Sequence, residues 1–124
     1  MRLHHVQLAI PVGGEAEGRR FWVEGVGLTE VEKPAALRDR GGLWVRHEGG
    51  AEVHLGVEQP FTPARKAHPA LVLDSVEHLD EVALRLVGLG YQIDHGQRRT
   101  FPGHLRCHVL DGHGNRVELL APAT

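Results

Sequence analysis

Apolar residues recur at every second position in several short stretches of this chain and at helical spacing in two longer ones. Between Leu3 and Ile10, Val6, Leu8 and Ile10 fall on one side and His5, Gln7 and Ala9 on the other, the alternation of a half-buried strand. A helix is expected from about Glu15 to Val26, offering Ala16, Phe21, Trp22, Val23 and Val26 for burial. Strands follow at Thr29 to Glu32, Leu43 to His47 and Ala51 to Val57, with Gly49 and Gly50 fitting a hairpin turn. A connector without periodicity, Glu58 to Ala67, contains Pro60 and Pro63. The series then restarts. His68 to Leu73 reads as strand, and Asp74 with Glu77 three positions on supplies an N-cap signature. Val76, Leu79, Val82, Ala83, Leu86 and Leu89 form the apolar stripe of a helix that stops at Gly90. Strands are expected at Tyr91 to His95, His104 to Leu110 and Arg116 to Ala121, with Asp111 to Asn115 turning between the last two.

The order is βαβββ twice, and the halves overlay at a nearly constant offset. His5 falls on His68 and Gly27 on Gly90, each 63 positions apart, while His54 falls on Glu118, 64 apart. The expected fold class is therefore α+β, with one module over about 3–57 and a second over about 68–121. At 124 residues both modules should share one core in a single domain, 1–124.

Strand alternation also sorts the chemistry. Val6, Leu8, Ile10, Val53, Leu55, Val57, Leu71, Leu73, Val117 and Leu119 would face the helices, so His5, His54, His68 and Glu118 point the other way. If the modules face each other across a pseudo-twofold axis, these four side chains meet in a cleft. Three imidazoles and a carboxylate suit Zn, Fe, Mn, Ni or Co. Any one of these histidines, taken alone, reads as an ordinary hydrogen-bonded strand residue; their matched positions in a repeat are what favour a metal. Gln7, Trp44, Arg46, Arg106 and His108 share the same face and would line the cleft. Arg46 and Arg106 either bind an anionic substrate or pair with Glu52 or Glu118. His108 is the candidate general base and Glu118 a catalytic carboxylate, the simpler alternative for His108 being a bond to a neighbouring side chain. Arg65, Lys66, Arg98 and Arg99 fall on loops and read as solvated charges.

Composition narrows the partners. A net charge of −2 and the lack of any Lys/Arg block argue against nucleic acid. No apolar run approaches a bilayer span and no leader-like segment opens the chain, so a cytoplasmic protein is expected. The single cysteine, Cys107, excludes an intrachain disulfide and reads as a small buried residue.

The segments LHHVQLAI, AEVHLG, KAHPALVLDS and DGHGNRVELLAP together resemble the glyoxalase, bleomycin-resistance and extradiol-dioxygenase superfamily, also called the vicinal oxygen chelate superfamily, over nearly the whole chain. The resemblance implies a glyoxalase-like open barrel or cleft and a divalent metal held by His5, His68 and Glu118. It implies a homodimer, in which His5 and His54 of one chain can meet His68 and Glu118 of the other. His54 departs from glyoxalase I, which typically has glutamate there. Two functions follow as expectations: a metal-dependent enzyme acting on a small oxygenated substrate through a metal-stabilised oxyanion, or a non-catalytic protein that sequesters a drug.

Overall fold

The computed structural model describes residues 1–124 and divides their strands between two four-stranded sheets. The first contains β1 (Val6–Ile10), β2 (Thr29–Val31), β3 (Leu43–Arg46) and β4 (Glu52–Val57) in the order β1-β4-β3-β2. The second contains β5 (Ala70–Val72), β6 (Ile93–Asp94), β7 (His104–Leu110) and β8 (Arg116–Pro122) in the order β5-β8-β7-β6. In each, the first and fourth strands are parallel and the other pairs antiparallel. Two βαβββ modules are thus present, as two separate sheets and not a closed barrel.

The repeat extends to the hydrogen-bond register. Gln7 stands opposite His54 and Trp44 opposite His54 in the first sheet. At the equivalent places Ala70 and His108 stand opposite Glu118. Gly27 and Gly90 each follow a helix with the same φ of 98°, a left-handed conformation that only glycine adopts without strain.

The first helix, α1 (Glu15–Arg19), continues as a π-helical stretch, Arg20–Val26. The second, α2 (Val76–Gly88), is capped by Ser75, whose hydroxyl accepts from the His78 amide at 3.0 Å. The cap expected at Asp74 therefore falls one residue later, because Ser75 is the residue with extended backbone at the helix entrance. A 3₁₀ helix, Ala35–Arg40, buries no residue and left no apolar period to read.

Helix and sheet pack through small residues. Gly18 lies against Leu55 and Leu43 of the first sheet, and a side chain at Gly25 would collide with Leu86 of α2. Phe21, Trp22, Leu79 and Leu86 join the inward residues of both sheets in one cluster of 21 buried residues. The modules therefore meet through their helix-covered, apolar faces. The polar faces do not meet within one chain, since merging the two apolar faces removes the larger oily area from water. No helix is long and apolar enough to cross a membrane. Cys107 is fully buried, and burial pushes its thiol up to about 11.

Asn115, also fully buried, joins the modules at the connector. Its Nδ2 donates to the Ala9 carbonyl at 2.8 Å and its Oδ1 accepts from the Ala64 amide at 2.8 Å. Asn115→Ala should strip both backbone groups of their partners and cost about 3 kcal/mol, measured by urea unfolding. A loss below about 0.5 kcal/mol would show that the junction does not depend on it.

Candidate functional site

Glu118 lies mid-strand on β8, between β5 and β7, with its side chain on the sheet face away from α2. Only 4% of it is exposed. A carboxylate in such a place needs partners, and three side chains provide them. His68 Nε2 and His108 Nε2 both reach Glu118 Oε1, at 3.0 and 3.2 Å, and Arg106 donates to Oε2 at 3.2 Å. Burial penalises the charge on Glu118, but the bonds from His68 and Arg106 outweigh that and hold its carboxyl below the ordinary value. One ligand atom from each of His68, His108 and Glu118 falls within 4.8 Å of the others, the spacing of a metal-binding group.

His68 is oriented from behind. Its Nδ1 donates to the Lys66 carbonyl at 2.9 Å. With Nδ1 engaged by the carbonyl, Nε2 is aimed at Glu118 Oε1, where a proton on Nε2 or a cation would bridge the two. Metal-binding histidines typically show this backbone-carbonyl anchor. The donor set therefore fits a divalent ion.

The other two expected ligands stand on the first sheet, outside that group. His54, 5% exposed, is sandwiched between Trp44, with ring centroids 3.8 Å apart, and His5, at 3.9 Å. Its Nε2 meets Glu52 Oε2 at 2.7 Å, and Arg46 donates to Glu52 Oε1 at 2.7 Å. Within one chain, then, His5 and His54 do not converge with His68 and Glu118, because each pair belongs to a different sheet and the sheets meet through their opposite faces. Gln7 is exposed and lies across Gly56. Arg46 and Arg106 both take the paired alternative, with Glu52 and Glu118, and His108 is bonded to Glu118.

These contacts set the proton affinities. The bonds from Arg46 and then His54 hold Glu52 at about 2, against an ordinary 4.5. Burial lowers His54, and burial followed by the Arg116 charge lowers His108, so both rings favour the neutral form.

Sequence reasoning placed Arg65 and Lys66 in solvent. Both are exposed, and together with Arg116 they line a cavity of about 820 Å³ that includes His108. Arg116 lies two positions from Glu118 on β8 and on the same face, and nothing in the sequence indicates that the connector folds beside it.

This duplicated βαβββ fold defines a structural class, and likeness to known proteins identifies it. Residues 2–119 match the Glyoxalase/Bleomycin resistance protein/Dioxygenase superfamily, and the chain belongs to that family. Among solved structures, it is similar to one reported as a glyoxalase family protein from Bacillus anthracis, with 39% identity and a TM-score of 0.87 over 98% of this chain and 95% of that one. It is similar to TnmS3, an antibiotic binding protein from Streptomyces sp. CB03234, with 25% identity and a TM-score of 0.70 over 99% of both chains. The fosfomycin resistance protein FosX from Listeria monocytogenes shares the fold, with 16% identity and a TM-score of 0.76 over 99% and 94%. No curated protein matches the chain.

The four groups of these contacts give a pH dependence of one sign for the metal-free protein, opposed only in part by Asp111, whose carboxyl burial raises. Glu52 and Glu118 lie below their ordinary 4.5, so their stabilisation is complete above that value and is lost as pH falls, for Glu52 through about 2. His54 and His108 lie below 6.5, so acid below that value protonates the unfolded chain first and favours it. The melting temperature, followed by circular dichroism, should decline from about pH 7 to about pH 3, and Glu52→Gln should flatten the part below about 4.5. A constant or rising melting temperature over that range would contradict the contacts.

Proposed function

We propose that the chain is a divalent-metal-dependent enzyme of this superfamily acting on a small oxygenated, anionic substrate. The observation that carries the reading is His68, whose Nδ1 is tied to a backbone carbonyl while Nε2 confronts a buried carboxylate at 3.0 Å. His68 and Glu118 would hold the ion, with His108 beside them and His5 and His54 supplied by a second copy of the chain. Two features support the second copy. His5 is exposed on one polar sheet face, and the other carries Val72 and Leu110, apolar side chains 65% and 39% exposed.

A bound Zn, Fe, Mn, Ni or Co ion would supply Lewis-acid polarisation of a substrate oxygen. The protein's own groups do the rest. Arg106 fixes the orientation of Glu118 by its bond to Oε2 and keeps that carboxylate charged. His108 has a free Nδ1 and a neutral ring, so it is the side chain fitted to take a proton from the substrate.

A second reading, sequestration of a small molecule without catalysis, is favoured by the likeness to TnmS3 and by the flat Trp44–His54–His5 stack, a surface suited to a planar ligand. Metal content separates the two. Untagged protein reconstituted with each metal should bind about one equivalent per chain, and Glu118→Gln should abolish this while the fold persists. Less than about a tenth of an equivalent for every metal would overturn the enzyme reading. His5→Ala should also lose the ion. If the site is shared, mixing His5→Ala with Glu118→Gln chains should restore about a quarter of an equivalent per chain through heterodimers. No recovery after subunit exchange would place the whole site in one chain.

A further inference from the structure

The cavity of about 820 Å³ beside His108 is not accounted for by the metal group. It opens on the same sheet face as Glu118. His108 and Leu110 are two apart on β7, with Asp94 opposite His108 and Arg116 opposite Leu110, so all four share that face. The remaining charge comes from the connector, through Arg65 and Lys66. Three cations and one carboxylate therefore line the space, and Asp94 already accepts from the Gly96 amide.

The three cations are uncompensated. None of the ion pairs in the chain includes Arg65, Lys66 or Arg116, whereas Arg19, Arg38, Arg46, Arg98 and Arg106 each have a carboxylate within 3.2 Å. The connector is also held in place. Arg116 N donates to the Ala64 carbonyl at 2.8 Å, Ala64 N to Asn115 Oδ1 at 2.8 Å, and His68 Nδ1 to the Lys66 carbonyl at 2.9 Å. Holding like charges around one concavity costs energy in the empty protein and focuses a positive potential into it.

His108 is 4% exposed, its Nε2 is taken by Glu118, and its Nδ1 has no partner in the protein.

We infer that this cavity binds a small organic anion, its carboxylate or phosphate set between Arg65, Lys66 and Arg116. The inference rests on the proposed function in directing the rest of that molecule toward Glu118. It also names the cations that select the substrate, which are not Arg46 and Arg106.

The test uses metal-free, isotope-labelled full-length protein, so metal binding and anion binding fail separately. Amide shifts of Lys66, His108 and Leu110 are followed by NMR during titration with inorganic phosphate, lactate and neutral propane-1,2-diol at constant ionic strength in chloride. Saturable shifts with phosphate or lactate and none with the diol are expected, and whichever anion binds more tightly identifies the head group. Arg116→Gln should weaken binding about tenfold, and exposed Lys66→Met several-fold, while Arg99→Gln, a loop cation outside the cavity, should leave it unchanged. Shifts that stay linear for both anions, or an equal loss in Arg99→Gln, would overturn the inference even if the metal site is real.

Discussion

In both halves of this protein a first strand lies parallel to a fourth, and that pairing governs the rest of the structure. Parallel neighbours cannot be joined by a tight turn, so each module must carry its chain over one sheet face, which its helix then covers. Once that face is covered, strand alternation leaves no choice for the other: residues opposite Gln7 and Ala70 must project from it. His54 and Glu118 are those residues. A one-residue slip in either register would drive a charged carboxylate or an imidazole into the helix layer.

The two modules use that shared position differently. Each contains an arginine, a carboxylate and a histidine in contact, Arg46–Glu52–His54 in the first and Arg106–Glu118–His68 in the second. In the first the carboxylate sits at the strand end and the central position holds a ring, which stacks between Trp44 and His5. In the second the carboxylate occupies the centre and draws three donors to itself. The first arrangement satisfies its own groups. The second brings two imidazoles to one carboxylate oxygen and leaves the buried His108 Nδ1 without a partner.

The two-module architecture was legible because period-2 alternation, the apolar stripe of α2 and the 63-residue offset are local properties of the sequence. The faces of β1, β4, β5 and β8 were legible for the same reason. Which faces would meet was not, since polar-to-polar and apolar-to-apolar assembly have identical strand patterns, and the choice is made by helix contacts such as Gly25 on Leu86. For Arg46 and Arg106 the pattern gave the face but could not choose between substrate and carboxylate. That choice depends on cross-strand distance: Arg46 stands directly opposite Glu52, and Arg106 reaches Glu118 across two positions of β8.

The connector illustrates the opposite limit. Its prolines and missing periodicity describe what it is not, and the charges of Arg65 and Lys66 looked solvated because nothing near them in sequence could hold them. What holds the connector's backbone is Asn115, fifty-one residues from Ala64, through a side chain whose neighbours in sequence mark only a turn. A loop held through its backbone by Asn115, Arg116 and His68 keeps its path while its exposed side chains stay free to change. Cations placed there can therefore alter which anion is selected without disturbing Glu118, and two relatives with the same donor group need not share a substrate.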